Sequence, residues 1–413
     1  MLVLGKVGVG GQGYYLAPVE RWGTGIEPPG RWDGHGAASL GLDGDVAPEP
    51  LQRLLAGADP ATGAALGRQN SQLQVAAYDL TFCAPKSVSL VHALADEPVA
   101  QIVGDAHRQA VTATVGYLER RAAAVRRPAG GRRLPQPATG LAVAVFDHRT
   151  SRALDPHLHS HAVVANLACG AGRWSALDGR GLYAHRAAAD ALYHAHLRQQ
   201  LTTRLGVGWE PPRRGRADIA GVDLAVRAAF SRRAAAIAAE LATSGRHGGR
   251  AGAVAAHRTR PAKELAVSAD ELRPAWRHRA AQLGFGPCQL QAVLHRPPRL
   301  LHSDQPRLAE LVHGSRGDTG WLPWHDQRPW TRRDAVRALA SMSAAGASVQ
   351  SIEQQTDDLL ERLGVDPHRR GGPGVAEARL APAPQLLLEQ ALAARGLSRR
   401  LGPARGLDLG MGR

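Results

Sequence analysis

Residues 146–168 read F-D-H-R-T-S-R-A-L-D-P-H-L-H-S-H-A-V-V-A-N-L-A. Four histidines, His148, His157, His159 and His161, fall within fourteen positions, and apolar runs flank them on both sides. Leu141 to Asp147 is small and β-branched, Thr150 to Pro156 carries turn residues, and Leu158 to Leu167 resumes a strand pattern, so an antiparallel hairpin is predicted. Side chains two apart on a strand share a face, which aims His159 and His161 the same way. The hairpin brings His148 of the first arm close to them. Three imidazoles on two rigid strands, with no fourth protein ligand nearby in sequence, fit a catalytic metal site with open positions better than a closed structural one. His157 follows Pro156 at the turn and is read as supporting a ligand or facing phosphate.

Composition sets the class of partner. The 413 residues, 44% of them hydrophobic, allow one large domain and a smaller one with a real core. Net charge is +15, the pI is near 10.8, and 48 of the 51 basic residues are arginine. The guanidinium fork matches phosphate, so an anionic polymer is the expected partner, although a GC-rich genome accounts for part of the Arg and Ala enrichment. Aromatic residues make up 4%, and tryptophan leads them, leaving a few side chains for base stacking. Cys83, Cys169 and Cys288 are odd in number and far apart, which points to a reducing cytosol without a disulfide framework. No export signal and no apolar run of about 18 residues is seen, so neither membrane insertion nor secretion is expected.

At the N-terminus, Met1 to Val9 reads as a strand entering G-V-G-G-Q-G at 8–13. This matches a dinucleotide fingerprint, and Asp33 lies 20 residues beyond Gly13, but the helix and second parallel strand it requires are broken by Gly23, Gly25, Pro28, Pro29 and Gly30. Tyr14 and Tyr15 follow, two of six tyrosines. A tyrosine beside a metal-polarised phosphate can act as a nucleophile; otherwise the pair simply packs. Gln74 to Leu94 alternates at first, placing Asp79, Thr81 and Cys83 on one face. Asp79 is either an edge residue or the partner of a histidine N–H, since a buried carboxylate needs one. Pro85 then ends the strand, and Lys86 or Ser87 opens a helix whose N-terminus and lysine could meet a phosphate.

Helices are predicted over Pro98–Val125 and Tyr183–Leu205, the latter stopped by Gly206. Arg126 to Pro135 reads as a basic turn that either touches phosphate or is a solvated loop. Irregular alternation of strands and helices argues an α+β architecture with a mainly antiparallel sheet.

Tyr14-Tyr15, R-W-D-G-H-G-A-A-S-L-G-L-D-G-D-V at 31–46, Y-D-L-T-F-C-A-P-K-S-V-S-L at 78–90 and H-R-T-S-R-A-L-D-P-H-L-H-S-H at 148–161 together resemble conjugative relaxases of the TrwC/TraI (MobF) class, which are HUH-type endonucleases. The resemblance runs from Met1 to about Gly286. It implies a palm-like antiparallel sheet flanked by helices, with helical fingers closing over single-stranded DNA. It makes Tyr14 the nucleophile with Tyr15 beside it, and His148, His159 and His161 the ligands of one divalent metal. Asp79 then orients a ligand histidine or assists deprotonation of the tyrosine. His157, Lys86 and Arg152 become supporting or phosphate-facing residues, and Arg258, Arg260 and Lys263 DNA-binding residues in the fingers. The implied reaction nicks a plasmid transfer origin through a covalent 5′-phosphotyrosyl link. The class usually works with Mg or Mn, whereas three imidazoles by softness also suit Zn, Ni or Co.

This chain departs from the class in two respects. The segment Ala17 to Glu27 lacks a second tyrosine pair, and there is no G-x-x-x-x-G-K-[ST] phosphate loop, so neither double cleavage by one site nor ATPase or helicase activity is expected. The expected organisation is a relaxase domain over 1–286 (core about 1–212, helical fingers about 217–286), a proline-rich linker over 287–329, a small helical region over 330–370 and a disordered tail over 371–413. A cytoplasmic protein is expected, with single-stranded DNA as partner and a separate helicase, accessory DNA-binding proteins and a type IV secretion coupling protein as further possibilities. The rival functions are a rolling-circle replication initiator and a non-catalytic DNA-binding remnant.

Overall fold

A computed structural model describes residues 2–9, 28–67, 75–213, 215–260, 267–294 and 331–362. The histidine hairpin is its centre: β6 (Leu141–Thr150) and β7 (Pro156–Gly170) pair antiparallel, with a loop of only five residues between them. Before these come β1 (Leu2–Gly8), β2 (Arg31–Asp33) and β3 (Val75–Cys83), and after them β8 (Arg173–Ser175). The sheet order is β1-β3-β7-β6-β2, with β8 beside β7, and every pairing is antiparallel. β1 lies antiparallel on β3, a pairing foreign to the parallel unit of a dinucleotide site.

Period-2 alternation sends the two faces of the sheet to different neighbours. One face presents Leu80, Phe82, Val143, Val145, Leu158, Ala162 and Val164 to α3 (Lys86–Leu94), α4 (Glu97–Ala122) and α5 (Arg180–Leu205). Each large aliphatic side chain buried there contributes about 1.5–3 kcal/mol. Among the described residues, the opposite face is packed by a helix at one end. There, α2 (Pro48–Leu55) sets Leu51 and Leu55 against Val7, Ala77, Ala144, Phe146 and Val163, and a short α1 (His35–Ser39) precedes it. The other end of that face carries the histidines.

Local signals explain the long helices. Asp96 caps α4 by accepting from Val99 N, a bond worth about 1 kcal/mol, with Pro98 in the first turn. Gly206, at φ +62°, ends α5 as predicted. The stretch read as a helix to Val125 and a basic turn is different: α4 stops at Ala122, and β4 (Ala124–Ala129) pairs with β5 (Arg132–Pro137) in a separate two-stranded ribbon. Arginine and proline obscure the strand pattern, while Gly130 and Gly131, both at positive φ, supply the tight turn.

Beyond the sheet lie α6 (Leu224–Ala229), α7 (Arg232–Ser244), α8 (Gly249–Arg258), α9 (Ala269–Gln282) and α10 (Pro287–Val293). The last of these is helical where linker was expected, because Pro287 starts a helix as readily as it breaks one. Then α11 (Arg332–Met342) and α12 (Val349–Arg362) pack into the main core through Val336, Leu339, Ile352 and Leu360. Arg198, buried in α5, donates to the carbonyls of Gly215, Ala340 and Ser343 at 2.9–3.1 Å. Glu353 meets Arg120 and Arg121 of α4 at 2.5 and 3.1 Å. The expected linker from 295 to 329 and tail from 371 to 413 lie outside the described residues.

Candidate metal and DNA-processing site

The sheet register assembles the site. His148 stands directly opposite His159, and His161 stands between Phe146 on β6 and Thr81 on β3. Directly opposed residues share a face, so His148, His159, His161, Thr81 and Asp79 all project from the same end of that face. The His148 ring lies 5.2 Å from that of His159 and 5.5 Å from that of His161, centroid to centroid, and His159 lies 5.4 Å from His161.

Hydrogen bonds define the tautomers of two rings. Nδ1 of His161 is 2.9 Å from a carboxylate oxygen of Asp79, which can only accept, so Nδ1 donates there and Nε2 is the ring nitrogen left to face the site. Nδ1 of His159 likewise donates to the His157 carbonyl at 2.9 Å. Burial, reinforced by the neighbouring imidazoles, holds His159 far below the ordinary histidine pKa, so it is neutral at physiological pH. An imidazole whose one ring nitrogen is spent on a carbonyl or carboxylate turns the other towards a divalent ion. Among the described residues no three His, Cys, Asp or Glu side chains stand ready-made to hold a metal ion. The strands fix the backbones of the three histidines side by side, with their rings 5.2–5.5 Å apart.

The supporting residues expected from the sequence divide. His157 stacks on His159, with centroids 4.5 Å apart and planes at 25°, and burial pushes its pKa down to about 3. Lys86 opens α3 and donates from Nζ to the Pro156 carbonyl at 2.7 Å, one residue before His157. Desolvation lowers its pKa to about 8 despite Asp155 and Asp218 nearby. Arg152 occupies the hairpin loop and, with Arg260, lies within electrostatic reach of Arg233; burial first, then these two cations, lower the Arg233 pKa. Arg258 ends α8, largely exposed, 3.4 Å from Glu240. Tyr14, Tyr15 and Lys263 lie outside the described residues.

Behind the histidines runs a chain that the sequence did not disclose. Ser160, which alternates inward between His159 and His161, donates to Asp147, whose other oxygen accepts from Arg31 at 2.7 Å. With its only proton spent, the Ser160 oxygen accepts from His107 Nε2 at 2.7 Å, and His107 Nδ1 accepts from the Tyr193 hydroxyl at 2.8 Å. Burial holds His107 down to about 3 and Tyr193 well above its usual pKa, so both are neutral. Partners 13 to 116 residues apart, three of the four links spanning 53 or more, leave no local signal of this kind.

The match to known proteins follows the same ground. The TrwC relaxase family matches residues 7–283. The multifunctional conjugation protein TraI of Escherichia coli K12 is 38% identical over 182 residues, covering 41% of this chain and 10% of its own length, so the chain spans about a tenth of that relative. Structures of the conjugative relaxase TrwC bound to oriT DNA superpose on 69% of this chain and 99% of theirs. The copper-bound form has a TM-score of 0.61 at 29% identity, and the complex with a 27-mer carrying the recognition hairpin and cleavage site has a TM-score of 0.60 at 29% identity. With two thirds of its length matched, and with the antiparallel sheet that presents His148, His159 and His161 lying inside the match, the chain belongs to the TrwC relaxase family.

Proposed function

We propose that this chain is a site- and strand-specific DNA relaxase that nicks single-stranded DNA at a plasmid transfer origin, with Tyr14 as nucleophile and a covalent 5′-phosphotyrosyl intermediate. The observation that carries the reading is the Asp79–His161 bond, set beside His148 and His159 on one sheet face. A carboxylate spent on a histidine N–H serves orientation, which favours that role for Asp79 over deprotonation of the tyrosine. His148, His159 and His161 would hold one divalent ion, Mg or Mn by family habit, with Zn, Ni or Co suited by the donor set. When bound, that ion offsets the negative charge of the scissile phosphate, which otherwise repels a nucleophile.

The residues perform the remaining steps. The Tyr14 oxygen–phosphorus bond forms in line as the bond to the 3′-oxygen breaks. The phenol gives up its proton, and the departing oxygen takes one to become a 3′-hydroxyl. The phosphotyrosyl ester conserves the bond energy, so rejoining needs no nucleotide. Lys86, His157 and Arg152 border the phosphate path, and Arg258, Arg260 and Lys263 would grip the strand from helical fingers. The ribbon of β4 and β5 adds Arg132 and Arg133, both exposed, as sequence-independent phosphate contacts. Tyr15 would stand beside the nucleophile. The enzyme would act in the cytoplasm, with a helicase, accessory DNA-binding proteins and a secretion coupling protein supplied separately. Among the described residues no helix is long and apolar enough to cross a membrane.

The test incubates the full chain with dye-labelled single-stranded oligonucleotides from the neighbouring genome in Mg or Mn, beside Tyr14→Phe and an EDTA control. A protein–DNA adduct that needs both Tyr14 and metal is expected, and the retained strand maps the nick. DNA binding with no adduct in any metal would refute catalysis and leave a DNA-binding remnant. An adduct only at a replication origin would mark an initiator.

A further inference from the structure

The loop that joins the two histidine strands is held from outside the sheet. Asp155, 1% exposed, sits at its end, immediately before Pro156 and two residues before His157. One Asp155 oxygen accepts from the backbone N of Arg232 at 2.9 Å, and the other accepts from Arg232 Nε at 2.8 Å. Arg279 of α9 stands 3.8 Å away on the same carboxylate.

Arg232 is the first residue of α7, and its N-cap Ser231 makes no capping bond from its own side chain to that helix. Asp155 therefore supplies from the hairpin the anion that the helix N-terminus lacks. Arg232 Nη2 also donates to the Ala153 carbonyl at 2.5 Å, and Trp276 Nε1 of α9 donates to the Leu154 carbonyl at 3.0 Å. Leu154 has φ +56°, a left-handed conformation costly for a branched side chain and maintained only where neighbours over-determine it. Three consecutive loop residues, 153 to 155, are thus pinned by α7 and α9. On the sheet side, Ser151 closes the turn with Leu154 and Asp155, and Lys86 holds the Pro156 carbonyl.

We propose that Asp155 is a positioning residue: through Arg232 it lets the helices after residue 224 set the loop that fixes His148 against His159, and so sets the metal affinity of the site. This rests on the reading of the three histidines as metal ligands. A five-residue loop passes little slack, so release at Asp155 frees Leu154 to relax and shifts the first turn of β7, where His157 and His159 stack. The helices expected to grip DNA would then act on the metal site without touching it.

The test is calorimetric titration of the full chain with Mn, with no DNA present, for wild type, Asp155→Asn, Arg232→Ala and Arg232→Lys, alongside thermal unfolding. Both Asp155→Asn and Arg232→Ala are expected to weaken Mn binding by about tenfold or more, the scale of lost ligand-orienting contacts. Arg232→Lys, which keeps the charge, is expected to recover part of it. The reading depends on folded protein, and Arg232→Ala retains the buried carboxylate and its backbone partner should Asp155→Asn not fold. Unchanged Mn affinity in folded variants, even with lowered Tm, would overturn the proposal and leave a purely structural clamp. Absence of Mn binding by wild type would instead sink the metal-site reading itself.

Discussion

Asp79 and His161, 82 residues apart in sequence, are joined on neighbouring strands by a hydrogen bond of 2.9 Å between the carboxylate and Nδ1, with both side chains 15% exposed. The bond engages Nδ1 and turns Nε2 towards His148 and His159. Asp79→Asn retains an acceptor but loses the charge that strengthens the orienting hydrogen bond, and Asp79→Ala loses both. Metal affinity measured by calorimetry is expected to fall about tenfold for the first and up to about a hundredfold for the second, with circular dichroism unchanged. Equal affinity in all three proteins would remove Asp79 from the site.

Ser160 links the β6–β7 hairpin to the helical layer. Ser160→Ala leaves the buried His107 Nε2–H without its acceptor and Asp147 with Arg31 alone. The expected cost is about 1–3 kcal/mol of unfolding free energy, read as a lowered midpoint in urea with an unchanged slope. In the wild-type chain, burial would raise the Asp147 pKa, but Arg31, the neighbouring cations and the Ser160 hydrogen bond together hold it below the usual carboxylate value.

Acid should destabilise the fold over a defined window. Burial holds His107 and His185 near pKa 3 and His194 near 4, against about 6.5 unfolded. These groups are depressed in the folded state, so the unfolded chain binds more protons below pH 6.5. Their stability contribution is intact above that value and is lost progressively from about pH 6.5 down towards 4. Each contributes a slope of about 1.4 kcal/mol per pH unit at its steepest. Thermal unfolding between pH 7.5 and 4.5 is expected to show a plateau and then a steep fall; a flat profile to pH 4.5 would contradict the neutral buried histidines.

Arg198 binds the 331–362 helix pair to the body through carbonyls alone. Arg198→Met keeps the apolar stem but strands three acceptors, and about 3 kcal/mol of destabilisation is expected. Gly346 makes a second check, since at φ +87° an added Cβ would come within 2.3 Å of the Ala195 carbonyl and the Gln199 amide. Gly346→Ala should lower Tm in the same direction. A single cooperative transition, moved by both variants, is the expected calorimetric signature of a pair embedded in the main core; separate melting of the pair would refute it.

The sequence by itself determined the hairpin, the shared face of His159 and His161, and the approach of His148. All three follow from the two-residue period of a strand and a short loop, which are local properties. The same periodicity put Asp79 on a face where only a histidine N–H or an edge position would suit it. The tertiary structure alone decided which of these held, by setting β3 beside β7 in a register that brings Asp79 to His161. It also decided what no spacing encodes: the chain from Arg31 to Tyr193, the grip of Arg232 on Asp155, and the place of α11 and α12 against α5. Each joins groups tens to hundreds of residues apart, and a buried polar group chooses its partner by what the packed layers leave within about 3 Å. The ribbon of β4 and β5 was hidden for the converse reason, since an arginine-rich strand pair with little buried surface writes no hydrophobic alternation into the sequence.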